Sequence, residues 1–223
     1  RSYSVTGVQT CALPIFTSTI VFTPHSADSE RIYDEYVTFS EEKDGLSALE
    51  KEVTDALRNN RYDDELVKKA YADTAAERTK LENILRKGHY SMSLNYVKWD
   101  GKMPQYSKVR NWMQLELSEL YRLSQKGRIW EAKKRYNELW DTVLLMYEGN
   151  QPLIGVVVTR SLTLMLVEFP FSWKNGMQLV DKEQFIHTLK KVEVLLDHMF
   201  IRGIEIEYLT FQRSLDNMTS DAM

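Results

Sequence analysis

The chain has 223 residues, enough for one large or two small domains. Its 43% hydrophobic, 27% charged and 11% aromatic residues exclude collagen-like, disulfide-framework and fully disordered classes. The formal charge of −3 argues against a general nucleic-acid binder, which carries a basic excess. The longest strongly apolar stretch, Leu153 to Val167, is shorter than the roughly 20 residues that span a bilayer.

Residues Val5 to Ile15 read Val-Thr-Gly-Val-Gln-Thr-Cys-Ala-Leu-Pro-Ile. This run resembles the translation, one codon per residue, of a common short-read sequencing adapter. The resemblance implies that residues 1–15 are not native and are to be left out of fold reasoning. On that reading Cys11, the single cysteine, is foreign, and the native part has neither a disulfide nor thiol chemistry. The tail 16–25 contains an apolar, β-branched run, Phe16 to Phe22. The run fits the last turns of a lost transmembrane helix, a short strand or a loose tail.

From residue 26 onward the pattern predicts one all-α domain: an irregular antiparallel bundle or a short helical solenoid. Ser26 is placed as an N-cap, with Asp28 and Glu30 suited to the positive end of a helix dipole. Asp28 to Asp44 carries seven acids against two bases and reads as a solvated entry segment. Ser47-Ala-Leu-Glu50 has capping-box spacing and predicts a short helix to about Arg58. A long helix is predicted from Asp63 or Asp64 to Lys87, with Leu66, Ala70, Leu81 and Leu85 inward and Gly88 as its C′ residue. The N-terminal helices thus occupy 26–88. A connector over 89–106 follows, with a hairpin-type turn at Asp100-Gly101 and the aromatics Tyr90, Tyr96, Trp99 and Tyr106.

Residues 107–218 hold a helical hairpin and the C-terminal helices. Ser107 to Lys126 and Arg128 to Glu148 are the strongest helical pair, joined by Gly127, with apolar residues at three- and four-residue steps. The segment Leu120 to Tyr136 resembles the middle of a tetratricopeptide repeat, with Gly127, Ala132 and Tyr136 at its small, small and aromatic positions. The usual Leu-Gly step is absent and no second copy is visible. Pro152 opens a helix that is apolar almost all round and is expected to pack on several sides. Phe169 to Trp173 breaks it, and Asp181-Lys-Glu-Gln184 starts a helix to about Phe200. Gly203 is expected to separate that helix from a last one, Ile204 to Asn217.

Three patterns together resemble a group of bacterial all-helical proteins: Gly127 with Glu131 and Ala132, Pro152 to Gly155, and Glu207 to Asp216. Members of that group generally begin with an N-terminal membrane segment, and they carry no assigned activity. The resemblance implies a membrane tether in the full-length protein and no catalytic residue to transfer.

The chemistry-bearing residues are few. His187 and His198 share a helix face eleven residues apart, about 16 Å by helix rise, too far for one ion. No zinc-ligand set, phosphate loop or nucleophile elbow is present, so no metal or cofactor is expected. Lys126, Arg128, Lys133, Lys134 and Arg135 cluster at the hairpin turn, with Glu131, Glu138 and Asp141 close by, and read as a solvated face. Two charges break pattern by standing on apolar faces, Glu116 and Arg160, and are expected to form a buried ion pair. Phe169, Phe171 and Trp173 form a candidate apolar binding patch. The leading expectation is a non-enzymatic module that binds a protein partner. The alternative is a small-molecule or lipid-binding helical domain, with that patch lining a pocket.

Overall fold

The computed structural model describes residues 27–43, 45–46, 64–88, 103–149, 152–172 and 176–220, without the side chains of 210 and 213–220. The adapter-like run, the tail 16–25, the Ser47–Glu50 box, the aromatics Tyr90, Tyr96 and Trp99, and Trp173 lie outside the described residues. Every regular element among the described residues is helical: α1 (Ala27–Glu41), α2 (Asp64–Asp73), α3 (Ala75–Arg86), α4 (Ser107–Gln125), α5 (Ile129–Tyr147), α6 (Leu153–Glu168) and α7 (Lys182–Ser220). Short 3-10 turns at Phe169–Phe171 and Gly176–Leu179 link α6 to α7. The protein is an all-α bundle.

α1 starts one residue after Ser26, with Asp28 and Glu30 in its first turn. It is more than a solvated entry segment, because Tyr33, Tyr36, Val37 and Phe39 are buried. Their spacing puts them on one face, while the acids occupy the other. The carbonyl end of α1 is closed by α4. Lys108, buried, donates from Nζ to the Phe39 carbonyl at 2.6 Å, where the negative end of the helix dipole favours a cation. The Gln105 amide donates to Ser40 Oγ at 2.8 Å.

The long helix predicted up to Lys87 is broken at Thr74 into α2 and α3. Thr74 adopts φ −102° and ψ 13°, and its hydroxyl donates to the Ala70 carbonyl at 2.8 Å. Back-bonding of this kind bends helices and competes with the regular ladder. Val67, Leu81, Ile84 and Leu85 form the inward face, whereas Leu66 and Ala70 are only half-buried. Gly88 closes α3 with φ +58°.

α4 and α5 form the predicted hairpin. Gly127 turns it with φ +73°, a conformation that costs a side-chain-bearing residue about 1–2 kcal/mol. The Gly127 amide donates to the Ser124 carbonyl and the Arg128 amide to the Leu123 carbonyl. Trp112, Leu120, Tyr136, Leu139 and Trp140 are all buried in this seam.

α6 packs on α5 and α7. Tyr136 on α5 donates to the Leu166 carbonyl at 2.7 Å, and the Tyr147 hydroxyl lies 2.7 Å from Thr163 Oγ1. At the turn after α6, a Cβ added to Gly176 would stand 2.2 Å from the Pro170 carbonyl oxygen, so only glycine fits.

α7 is one continuous helix of 39 residues, about 58 Å long. Asp181 caps it, accepting from the Gln184 amide at 3.1 Å, as the capping-box spacing predicts. Gly203 does not end it. An interior glycine costs only about 1 kcal/mol, and here it is buried against Leu153 and Val156 of α6. Further along, Ile206 packs with Tyr33 and Val37 of α1.

Candidate functional site

Glu116 is fully buried, but its partners are not the expected one. Arg78 Nη1 donates to Glu116 Oε1 at 2.6 Å, and Arg135 Nε donates to Oε2 at 2.9 Å. The Tyr71 hydroxyl reaches Oε2 at 3.2 Å. Arg160 is exposed on α6. The expected Glu116–Arg160 pair is therefore not formed: α3 and α5 supply the guanidinium groups that Glu116 needs, and Arg160 meets its own requirement in solvent.

The junction extends outward from Glu116. Arg135 places both terminal nitrogens on Glu82 at 2.8 and 2.6 Å, and Nη1 also reaches Glu138 at 3.1 Å. Arg86 lies 2.9 Å from Glu82. Arg78 donates to the Tyr71 carbonyl at 2.8 Å and to Thr74 Oγ1 at 3.3 Å, holding the bend between α2 and α3. Its guanidinium carbon stands 3.3 Å from the centre of the Tyr71 ring. Three carboxylates face three guanidinium groups, and four helices meet in the network.

The electrostatics follow from that balance. Burial pulls the Arg135 guanidinium towards deprotonation, but its hydrogen bonds and charge pairing with Glu82 and Glu116 outweigh this and raise its pKa. Burial works to raise Glu82, yet Arg135 and Arg86 hold it below the usual carboxylate range. Tyr71 is pushed up to about 12, first by burial and then by the Glu116 charge. Both oxygens of Glu116 accept charged donors, so the group cross-links α3, α4 and α5.

Beside this junction lies an open groove of about 470 Å³, with Tyr71 and Arg135 on its floor and Trp130 standing 78% exposed at its edge. Its charges are matched locally: Arg128 forks onto Glu131, and Lys134 lies 3.9 Å from Glu138. Within the expected basic face, Lys126 pairs with Asp64 at 2.9 Å, and Arg135 belongs to the buried junction rather than to solvent.

The candidate aromatic patch is divided. Phe169 stacks on Tyr136 at 6.4 Å and joins the core, while Phe171 is exposed. The cleft nearby, between Tyr136, Trp140, Val180 and Phe185, holds about 30 Å³, room for about one water.

The largest apolar exposure lies elsewhere. Eleven of the fourteen large exposed hydrophobic side chains among the described residues belong to α6, α7 and Phe171. On α6 they are Ile154, Val157 and Leu164: the helix packs on α4, α5 and α7, as its nearly all-round apolar character predicts, and leaves one face open. On α7, Val194, Ile201, Ile204, Tyr208 and Phe211 follow steps of seven, three, four and three. That spacing makes one continuous stripe, opposite the buried seam of Val192, Met199 and Ile206. The segment Leu153–Phe171 is long and apolar enough to cross a membrane by length and composition alone, but 39% of it is buried in the bundle.

Among the described residues no group of His, Cys, Asp or Glu is arranged to hold a metal ion. Comparison with protein-family models, curated proteins and solved structures returns no match.

Proposed function

We propose that this chain is a non-enzymatic helical interaction module whose docking surface is the outer face of α6 and α7. The observation that carries the reading is the concentration of exposed apolar side chains there. Half-exposed side chains of this size present on the order of 100 Å² each, so the five of the α7 stripe together approach roughly 500 Å². The largest apolar patch on a typical monomer is about 300–600 Å², and a patch of that size is often functional. The ionic junction supports the same reading, because its carboxylates and guanidinium groups are spent on holding helices together.

In this proposal the tetratricopeptide-like hairpin α4–α5 is scaffold, and it positions the α6–α7 pair. The resemblance to tethered bacterial helical proteins adds an N-terminal membrane attachment to the full-length form. A photo-crosslinking residue placed at Ile204 in the host cell tests the docking surface. A discrete adduct is expected from Ile204, with none from exposed Lys68 on α2. No adduct of any kind from Ile204, Tyr208 or Val157 would overturn the reading.

A further inference from the structure

α2 and α3 are joined by a single residue, Thr74, yet they are held in different ways. α3 turns Leu81, Ile84 and Leu85 into the core, together with Arg78. α2 buries one side chain in ten residues, Val67. Its other attachments are polar. At its start Asp64 meets Lys126 of α4 at 2.9 Å, with the two side chains 38% and 45% exposed, and a pair of that kind adds little. Near its end the Tyr71 hydroxyl reaches Glu116 at 3.2 Å, long for a hydroxyl donor, and the Tyr71 carbonyl accepts from Arg78 at 2.8 Å. A segment with few buried apolar contacts opens at a lower free energy than the core it rests on.

We infer that α2 is a hinged flap, which swings out as a unit about Thr74 while α3, α4 and α5 stay folded. The flap is separate from the docking surface on α6 and α7. Its hinge is local: Thr74, at φ −102° and ψ 13°, leaves helical values, and Arg78 donates to Thr74 Oγ1 at 3.3 Å and holds the pivot from the α3 side. The ionic junction tolerates the motion. Arg78 belongs to α3 and Arg135 to α5, so both guanidinium groups remain on Glu116 when α2 leaves. The carboxylate loses only the Tyr71 hydroxyl, which water replaces, and no buried charge is stranded.

The groove of about 470 Å³ is what the flap controls. α2 supplies Tyr71 to it, α4 supplies Glu119 and Leu123, and α5 supplies Trp130 and Arg135. Asp64 meets Lys126 and Tyr71 meets Glu116, so α2 runs antiparallel along the second half of α4. It therefore bounds the groove on one side, with α5 on the other. Swinging out removes that boundary, widens the groove and brings Glu116 and the face of Arg78 that lay on Tyr71 to solvent.

Amide hydrogen exchange of the full chain, followed residue by residue by NMR in low urea, tests the inference. The amides of Lys68 to Asp73 are expected to share one protection level, at least about 100-fold below that of α4 and α5, with little dependence on urea because the opening exposes little surface. Amides of α3 beyond Arg78 should exchange with α4, not with α2. Val67→Ala should speed exchange across α2 about tenfold and Lys126→Glu about threefold, with α4 and α5 unchanged, and Asp64→Lys added to Lys126→Glu should reverse the second effect. Equal protection of α2 and α4 with the same urea slope overturns the inference, because α2 would then open only with the whole bundle. Protection that decays residue by residue from Asp64 inward, indifferent to Val67→Ala, overturns it as well. So does an α3 that exchanges together with α2, which would take the hinge away from Thr74.

Discussion

Around Glu116 charged groups lie inside the protein, and along α6 and α7 apolar groups lie outside it. Glu116 and Arg78 are buried and Arg135 nearly so, whereas Ile201, Tyr208 and Phe211 are each more than half exposed. Both placements run against the ordinary partition of polar and apolar side chains. The buried charges are matched by carboxylates, guanidinium groups and a tyrosine hydroxyl. The apolar side chains of the stripe are left largely to solvent. The difference separates what holds the bundle together from what, in the proposed function, would meet a partner.

The sharpest way to break that contrast is at its buried end. Glu116→Ala leaves Arg78 and Arg135 facing each other without their shared anion, and should cost about 3–5 kcal/mol in urea unfolding at neutral pH. A loss under about 1 kcal/mol would mean that solvent reaches the junction and that it does not bind the helices. The turn between α6 and α7 ranks next. Gly176→Ala would drive a methyl into the Pro170 carbonyl and should destabilise the chain by about 1–3 kcal/mol, also read by urea unfolding.

Protonation provides a gentler probe of the same end. Glu82 is held below its ordinary value of 4.5, so its contribution to stability is present above that pH and is lost as acid titrates the folded state. Tyr71 is raised from 10.0 to about 12, so its contribution is present below pH 10 and is lost as pH rises through that window. A tyrosinate absorbance titration should show delayed ionisation, and Glu116→Gln should bring the Tyr71 step to lower pH. At the exposed end the expected effect is smallest. Ile201→Ser should change folding stability by less than about 0.5 kcal/mol, because that side chain is 57% exposed. A large loss there would mean that the stripe is core after all.

The sequence by itself determined the helical class, the Gly127 turn with its buried aromatic seam, the Gly88 and Asp181 helix ends, and the burial of Glu116. Each of these follows from spacing along a few helical turns, where a residue's neighbours are its own i±3 and i±4 positions. Arg78 left a trace of the same kind, since it precedes Leu81 and Leu85 by three and seven residues on the core face of α3. Tertiary structure alone decided which cation reached Glu116, because α3 and α5 flank α4 in space while Arg160 turns to solvent. It also decided that Gly203 continues α7, since close approach to α6 offsets the helix cost of glycine. And it decided which side of α6 faced outward. A helix apolar on every side carries no phase in its sequence, so its buried face was set by Tyr136, Tyr147 and the α7 seam that packed against it.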